Sequence, residues 1–363
     1  MGMDHKPLEK SYSHRFVEPR IVSVGTATPP TGYTQMEVLD HYRITDQGIR
    51  SVFLNSHIDQ RFLSLPLREA GERPSVESQS ELLAKHRVEG VRLAAEALHR
   101  CLAPINAAPS DVDLLCCVTS TGWLTPGLSA LLVRDVGMRP DCGRLDVVGM
   151  GCNAGLNGLN PVTNWARANP GGLAVMICVE VCSAAYVFDG EMRSAVVNSL
   201  FGDGAAAVAV RCSDNDTVPA VTGYARHIIT SAMDAMRYDW DERHGKFSFF
   251  LDPDVPYVVG AHAERVVDAL LSRAALGRSD IAHWIVHPGG KKVIDAVRVN
   301  LELTHHDLRH TTEVLRSYGN VSSSSFLFAY QNLVDEGAAR PGDRAVMMTM
   351  GPGSTIESAL LTW

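Results

Sequence analysis

The sequence predicts an α/β fold made of two similar halves, each with a parallel sheet covered by helices on both faces. Short apolar, β-branched runs bounded by glycine alternate with segments of helical period, and the runs are too uniformly apolar to turn a face to water. A polar stretch from Arg211 to Pro219 divides the pattern into two parts that repeat its layout in different residues. With 363 residues, 45% of them hydrophobic, the chain can bury a large core. The expected boundaries are a loosely held polar arm over residues 1–19, a first half over 20–212 and a second over 213–363.

Ile21 to Thr26 reads as the first strand. Residues 35–65 carry a mixed helical pattern with Arg50 and Arg61 and little acid, and a loop rich in Pro, Gly and Ser follows over 66–80. From Glu81 to Leu102, the residues Leu82, Leu83, Val88, Val91, Ala95 and Leu98 fall on one helical face. Asp113 to Thr119 is a buried strand, followed by a turn over 120–127 and a short helix. The run Leu145, Val147, Val148 is a strand that stops at Gly149 and Gly151; beyond Cys152, Leu156 and Leu159 recur at helical spacing. Leu173 to Val181 is an apolar strand interrupted by Glu180, and a helix through Val196 to Leu200 leads to the strand Ala205 to Val210.

The second half opens with a strand from Val221, a polar excursion from Tyr238 to Lys246, a helix from Tyr257 to Leu276 and a strand from His283 to Val286. His287-Pro-Gly-Gly290 then begins another helix at Lys291. Two helices flank residues 318–322, and strands Ala345 to Thr349 and Thr355 to Leu361 bracket Gly351-Pro-Gly353.

A net charge of −8 argues against nucleic acid as the main partner, so an anionic ligand must be held locally. The apolar run Leu173 to Val179 ends at Glu180, far short of a bilayer span, and the first residues lack the apolar core of a signal peptide; the expectation is a cytoplasmic protein with no membrane contact. The eight cysteines form no C-x-x-C pair, which indicates neither a zinc site nor a redox couple, and no metal or cofactor is expected. His305, His306 and His310 lack a Cys or carboxylate motif to complete a ligand set and read as a solvated face.

Cys152 follows a strand and tight turn at the first turn of a helix, where free N–H groups and the positive end of the helix dipole favour a thiolate. The bland alternative is a small buried residue filling a crossover. Glu180 is costly in an apolar strand unless it is hydrogen-bonded or working. His287 before Pro-Gly-Gly and Asn320 after Gly319 stand at glycine-punctuated junctions, where a turn residue and a presented side chain are both plausible. Together, Cys152, His287 and Asn320 supply a thiol, an imidazole and an amide donor, the set for acyl transfer through a thioester. Gly149-x-Gly151-x-x-Ala154 matches a dinucleotide fingerprint, but it lies deep in the chain and no acid follows about twenty residues on. No G-x-S-x-G elbow is present, which argues against a serine hydrolase.

From about Arg20 to Trp363 the chain resembles the chalcone synthase-like, or type III, polyketide synthases of the thiolase superfamily. The resemblance is carried by Gly-Cys-Asn-Ala-Gly around Cys152, Phe201-Gly-Asp-Gly-Ala-Ala-Ala207, Trp284-Ile-Val-His-Pro-Gly-Gly290, Tyr318-Gly-Asn-Val-Ser-Ser323 and Met350-Gly-Pro-Gly353. Residues 120–131, 234–241, 247–252 and 257–264 resemble a bacterial branch of that family that condenses four malonyl-CoA to 3,5-dihydroxyphenylacetyl-CoA, a precursor of dihydroxyphenylglycine in antibiotic biosynthesis. The resemblance implies a thiolase-like five-layer αβαβα fold and a homodimer, with Cys152 as acyl carrier and His287 with Asn320 as decarboxylation and oxyanion site. It places Phe201 and Phe249 as gatekeepers and Thr125 in a loop reaching the partner's active site. Ser120, Glu180 and Ser322 fall where family members steer ring closure, and Gly351 and Gly353 fall in the Gly-Pro-Gly loop beside the substrate.

Two departures stand out. Basic residues that hold the CoA phosphates reduce here to Arg50 and Arg61, and Ala185 replaces a Thr common in plant members, which reshapes the cavity. Accessory enoyl-CoA hydratase-like proteins are possible partners in aromatisation. The alternatives are a type III synthase with another acyl-CoA starter giving a pyrone or naphthol, and a ketoacyl-carrier-protein synthase III-like condensing enzyme.

Overall fold

The computed structural model describes residues 17–68, 72, 74–186 and 190–363; residues 1–16 of the expected arm lie outside the described residues, and its end, Pro19, already belongs to a strand. The first half runs β1 (Pro19–Ala27), β2 (Gly32–Thr34), α1 (Gln35–His41), α2 (Gln47–Leu54), β3 (Gln60–Phe62), α3 (Gln79–Leu102), β4 (Leu114–Thr119), α4 (Leu128–Asp135), β5 (Gly143–Val148), α5 (Ala154–Ala168), β6 (Ala174–Glu180), α6 (Met192–Leu200) and β7 (Gly204–Cys212). The second runs β8 (Ala220–Ile228), β9 (Met236–Asp241), β10 (Lys246–Leu251), α7 (Val255–Arg273), β11 (His283–Val286), α8 (Lys291–Asn300), α9 (Arg309–Tyr318), α10 (Ser325–Glu336), β12 (Arg344–Gly351) and β13 (Thr355–Thr362).

Nine strands form one continuous ladder in the order β11-β12-β13-β8-β1-β7-β6-β4-β5. Its two parts meet at the single pair Arg20 and Ala220 of β1 and β8. On either side of that seam the order repeats: first strand of the half, last strand, next to last, then β4 in the first half, with β5 beyond it at the edge, and β11 in the second. The sheets are mixed rather than parallel. β4 pairs in parallel with β5 and β6, and β11 with β12, whereas β6-β7, β7-β1, β12-β13 and β13-β8 are antiparallel. The uniform hydrophobicity of the strands reports burial on both faces and is silent on direction.

Strand parity shows the layers. Cys116, Val118, Met176, Cys178, Ala206 and Val208 face inward with Ile285, Met347 and Ala359 of the other half, and all pack on α5 and α10. Their neighbours Cys117, Ile177 and Ala207 face the other way onto α3 and α4. Trp284, Val346 and Leu360 do the same onto α7 and α8. Because successive side chains point to opposite faces, each strand serves two cores at once, and the result is the five-layer stack of helices, sheet, helices, sheet, helices.

Two local details differ from expectation. The buried face of α3 runs through Leu82, His86, Gly90, Leu93, Ala94, Ala97, Leu98 and Cys101, while Val88 is exposed. His86 is tolerated inside because its Nδ1 lies 3.2 Å from the Thr121 hydroxyl, and the small residues let the helix backbone approach Gly25 of β1, where an added Cβ would meet Cys101 N at 2.4 Å. The segment from Tyr238 to Lys246 is not an excursion but most of a hairpin, with Phe249 paired to Tyr238 and Phe247 to Trp240. Its aromatic residues alternate with charged ones, the strand period itself.

In the central layer α5 and α10 touch at Gly155, where a Cβ would stand 2.3 Å from Phe326 Cε1 and 2.6 Å from the Ser323 carbonyl oxygen. Gly155→Ala should therefore cost about 2–3 kcal/mol by overpacking, read as a lowered midpoint in urea unfolding, even though alanine is the better helix former.

Candidate active site

The nucleophile candidate sits where two glycine motifs interlock. Cys152 lies in a single 3₁₀ turn, Gly151–Asn153, that feeds α5. A Cβ on Gly151 would strike the Pro352 ring at 2.3 Å, and one on Gly351 would meet Asn153 Oδ1 at 2.5 Å and the Cys152 nitrogen at 2.9 Å. Gly151 also has φ of +70°, which a side chain disfavours. The Gly-Pro-Gly loop between β12 and β13 thus forms one wall against the cysteine, with Gly351 in contact and Gly353 at the turn.

Asn320 is brought in by the backbone. It donates its N–H to the Leu200 carbonyl and accepts from Gly202 N–H, bridging to Phe201. Its side-chain oxygen accepts the Ser322 N–H at 2.8 Å, which fixes the amide's orientation and leaves its NH₂ as the group available to a ligand. His287, following β11, donates its N–H to Met348; the adjacent Gly290 abuts Leu200, where an added Cβ would lie 3.6 Å from Cδ2. Leu200 packs on the cluster of Cys152, Cys182, Tyr186, Val197 and Phe201. The segments that bear Cys152, His287 and Asn320 therefore converge on the end of α6.

From Cys152 a chain of polar groups runs inward. Its sulfur is 3.5 Å from Ser322 Oγ, which is 3.0 Å from Ser120 Oγ, which donates to Glu180 Oε1 at 2.9 Å. Glu180 is fully buried at the end of β6 and also accepts from the Ser120 N–H at 2.9 Å, the Ser323 hydroxyl at 2.5 Å and the Ser323 N–H at 3.4 Å. Those donors hold down a carboxyl that burial pushes up. A carboxylate accepts and cannot donate, so when Glu180 is ionised the hydroxyls of Ser120 and Ser323 point toward it. Ser323 was not singled out from the sequence, although it stands in a run of four serines opening α10.

The electrostatics overturn one expectation. Burial pushes the Cys152 thiol up to about 12; the Ser322 hydroxyl opposes the rise and the Glu180 charge adds to it. Burial likewise pulls His287 down to about 3, and its Nδ1 has no protein partner. Both shifts favour the uncharged forms, thiol and imidazole, because loss of water outweighs a helix start of one 3₁₀ turn.

Aromatic rings close the space over the sulfur. Phe201 lies 4.2 Å from Tyr186 and 6.2 Å from Phe249, measured between ring centroids, and Tyr238 meets Phe249 edge-on at 5.0 Å. Ala185 borders the same cluster. Thr125 is exposed on the 120–127 loop, away from this chain's own cluster. Tyr186 and Tyr238 were not foreseen, the latter because its strand was read as polar.

Arg61 does not stand at the surface to meet CoA. It is 1% exposed, and its guanidinium donates to the carbonyls of Asn198 and Phe201 and to Gln35 Oε1 at 2.6, 2.7 and 2.8 Å. It binds the carboxyl end of α6 and Phe201 to α1, a use of arginine that a charge in a sequence does not disclose. Arg50 is half-buried on α2 and donates to the Ile44 carbonyl. Among the described residues no cluster of His, Cys, Asp and Glu could hold a metal, and no helix is long and apolar enough to cross a membrane.

Alkylation of Cys152 by iodoacetamide in the substrate-free enzyme, followed by peptide mass mapping, should accelerate about tenfold per pH unit from pH 7 to 9, since only the rare thiolate reacts; a resting ion pair would give a plateau instead. Arg61→Ala should lower stability by about 3 kcal/mol or more in denaturant unfolding, because three buried acceptors lose their donor.

Comparison with known proteins agrees with this geometry. Residues 71–273 match the FAE1/type III polyketide synthase-like family, and residues 229–362 match the C-terminal domain of chalcone and stilbene synthases. The chain is 60% identical to the 3,5-dihydroxyphenylacetyl-CoA synthase of Streptomyces toyocaensis over 95% of its length and 90% of that protein. It is equally similar to the synthase of the same name from Amycolatopsis orientalis, over 95% and 93%. The crystal structure of 1,3,6,8-tetrahydroxynaphthalene synthase from Streptomyces coelicolor A3(2), a bacterial type III polyketide synthase, superposes with a TM-score of 0.86 at 26% identity, covering 95% of this chain and 99% of that one. A match of this extent, on a five-layer fold whose two central helices start at a cysteine and an asparagine, means that the chain belongs to the type III polyketide synthases.

Proposed function

We propose that the chain is a 3,5-dihydroxyphenylacetyl-CoA synthase acting on four malonyl-CoA, with Cys152 as acyl carrier and His287 and Asn320 as the groups that hold the enolate. The observation that carries this reading is the 60% identity, over 95% of the chain, to synthases of that name. The site's chemistry fits it.

Cys152 attacks the first malonyl thioester as a thiol whose proton leaves while the C–S bond forms, with neutral His287 as acceptor, and CoA departs. A second malonyl-CoA sets its thioester oxygen against an imidazole N–H of His287 and the free NH₂ of Asn320. Loss of CO₂ moves an electron pair onto that oxygen, where each donor is worth roughly 3–4 kcal/mol, as in other oxyanion sites. Phe201 and Phe249 keep water from the enolate, whose carbon attacks the thioester on Cys152 and expels the sulfur; the longer chain, now on CoA, returns to Cys152 with release of CoA before the next extension. Three extensions give a tetraketide. Late loss of the starter's carboxylate generates a carbanion at C8 that adds to the C3 ketone; loss of water then leaves a dihydroxyphenyl ring on an acetyl thioester. Glu180, Ser120 and Ser322 serve this closing step, since they form a directed chain of hydroxyls beside the sulfur.

A second copy of the chain completes the enzyme in this reading. The edge strand β5 exposes Leu145 and Val148, and Trp123 is exposed on the nearby 120–127 loop that carries Thr125. A homodimer would cover this apolar edge. Accessory enoyl-CoA hydratase-like proteins would act after ring closure.

Incubating the purified protein with malonyl-CoA alone, hydrolysing the thioesters and measuring mass should yield 3,5-dihydroxyphenylacetate, and Cys152→Ala should yield none. Pyrones that form only when acetyl- or longer acyl-CoA is added would overturn the assigned product.

A further inference from the structure

The hairpin of β9 and β10 lays Tyr238 across the cavity from the Cys152 relay. The residue is half-buried, but its hydroxyl oxygen is sealed from water; the Tyr186 hydroxyl is near enough to bear on it as a donor, and among the described residues no acceptor meets its own proton at hydrogen-bonding geometry. Every ring around it is aromatic: Trp123 at 5.8 Å, Phe249 at 5.0 Å, Phe247 at 6.4 Å and Tyr186 stacked parallel at 6.1 Å. A buried phenol whose proton has no acceptor is destabilising, a cost that phenylalanine at the same position would avoid. A bound oxygen would offset that cost.

The recess that Tyr238 lines is also lined by Ser120 and Ala185. Ser120 is the relay hydroxyl two hydrogen bonds from the Cys152 sulfur. The Tyr238 hydroxyl lies close enough to the Cys152 and Glu180 side chains for their charges to bear on it, and burial keeps it well above the usual phenol range, so it enters any complex as a neutral donor. A poly-β-keto thioester tethered at Cys152 carries a carbonyl on every second carbon, and each needs a donor in a cavity walled by hydrocarbon rings.

We propose that Tyr238 is a specificity-determining residue whose phenolic O–H binds a ketone oxygen of the tethered polyketide and thereby sets the fold in which the chain closes. This rests on the chain being a polyketide synthase and deepens the reading of the cyclisation step. With the ketone anchored on the side opposite Ser120, the segment between C3 and C8 is held bent, and competing closure through an enol oxygen onto the thioester, which gives a lactone, is disfavoured.

Tyr238→Phe keeps the ring and its contacts and removes one oxygen. Incubated with malonyl-CoA, the variant should show a ratio of carbocyclic to lactone and linear products lowered about fivefold to tenfold, with circular dichroism unchanged. An unchanged ratio overturns the proposal, whatever happens to the overall rate. If the unsubstituted enzyme makes a ring other than dihydroxyphenylacetate, the assigned product fails, while a shift of that other distribution by Tyr238→Phe still supports the role of the phenol.

Discussion

The contact of α5 with α10 through Gly155 is the constraint on which the site depends. The two helices occupy the single layer shared by both sheets, and their starts carry Cys152 on one and the Asn320–Ser323 turn on the other. Bringing the helix axes close at that point places Ser322 beside the sulfur and Ser323 beside Glu180. A bulkier residue at the crossing would separate the relay before it disturbed either helix. The outer helices can vary more freely, because strand parity gives them cores of their own.

The buried site works by assembling neutral groups. Thiol, imidazole, amide and hydroxyls surround one carboxyl, and that carboxyl is stitched to the backbone at Ser120 and Ser323. Such a site lowers the cost of keeping water out, since it holds few charges to desolvate. In the proposed reaction, charge appears with substrate, on an oxygen that faces preorganised donors.

Much of this was legible in the sequence, and the reasons are local. Cys152, His287 and Asn320 are flanked by glycines because their backbones turn tightly or touch, so the motif and the geometry have one cause. Glu180 announced itself as an acid in an apolar strand. Arg61 was misjudged because charge is visible in a sequence and burial is not; its partners are carbonyls more than a hundred residues away. The upward shift of the Cys152 thiol escapes the sequence for the same reason, as the helix start is local and the desolvation is supplied by rings from β10 and the segment after β6. The β9–β10 hairpin was hidden by its charges, although Tyr238, Trp240, Phe247 and Phe249 alternate with them at the spacing of a strand.

The anchoring of Phe201 by Arg61 has a mechanical meaning. The carbonyl of Phe201 is clamped by the guanidinium, and the residues on either side of it are bonded to Asn320, so the main chain at this point has no room to shift. With the main chain held, the phenyl ring can shift only by rotation about its own side-chain bonds. A gatekeeper at this position, as proposed above, would be a turnstile on a fixed post, changing in discrete rotamer steps rather than widening by degrees.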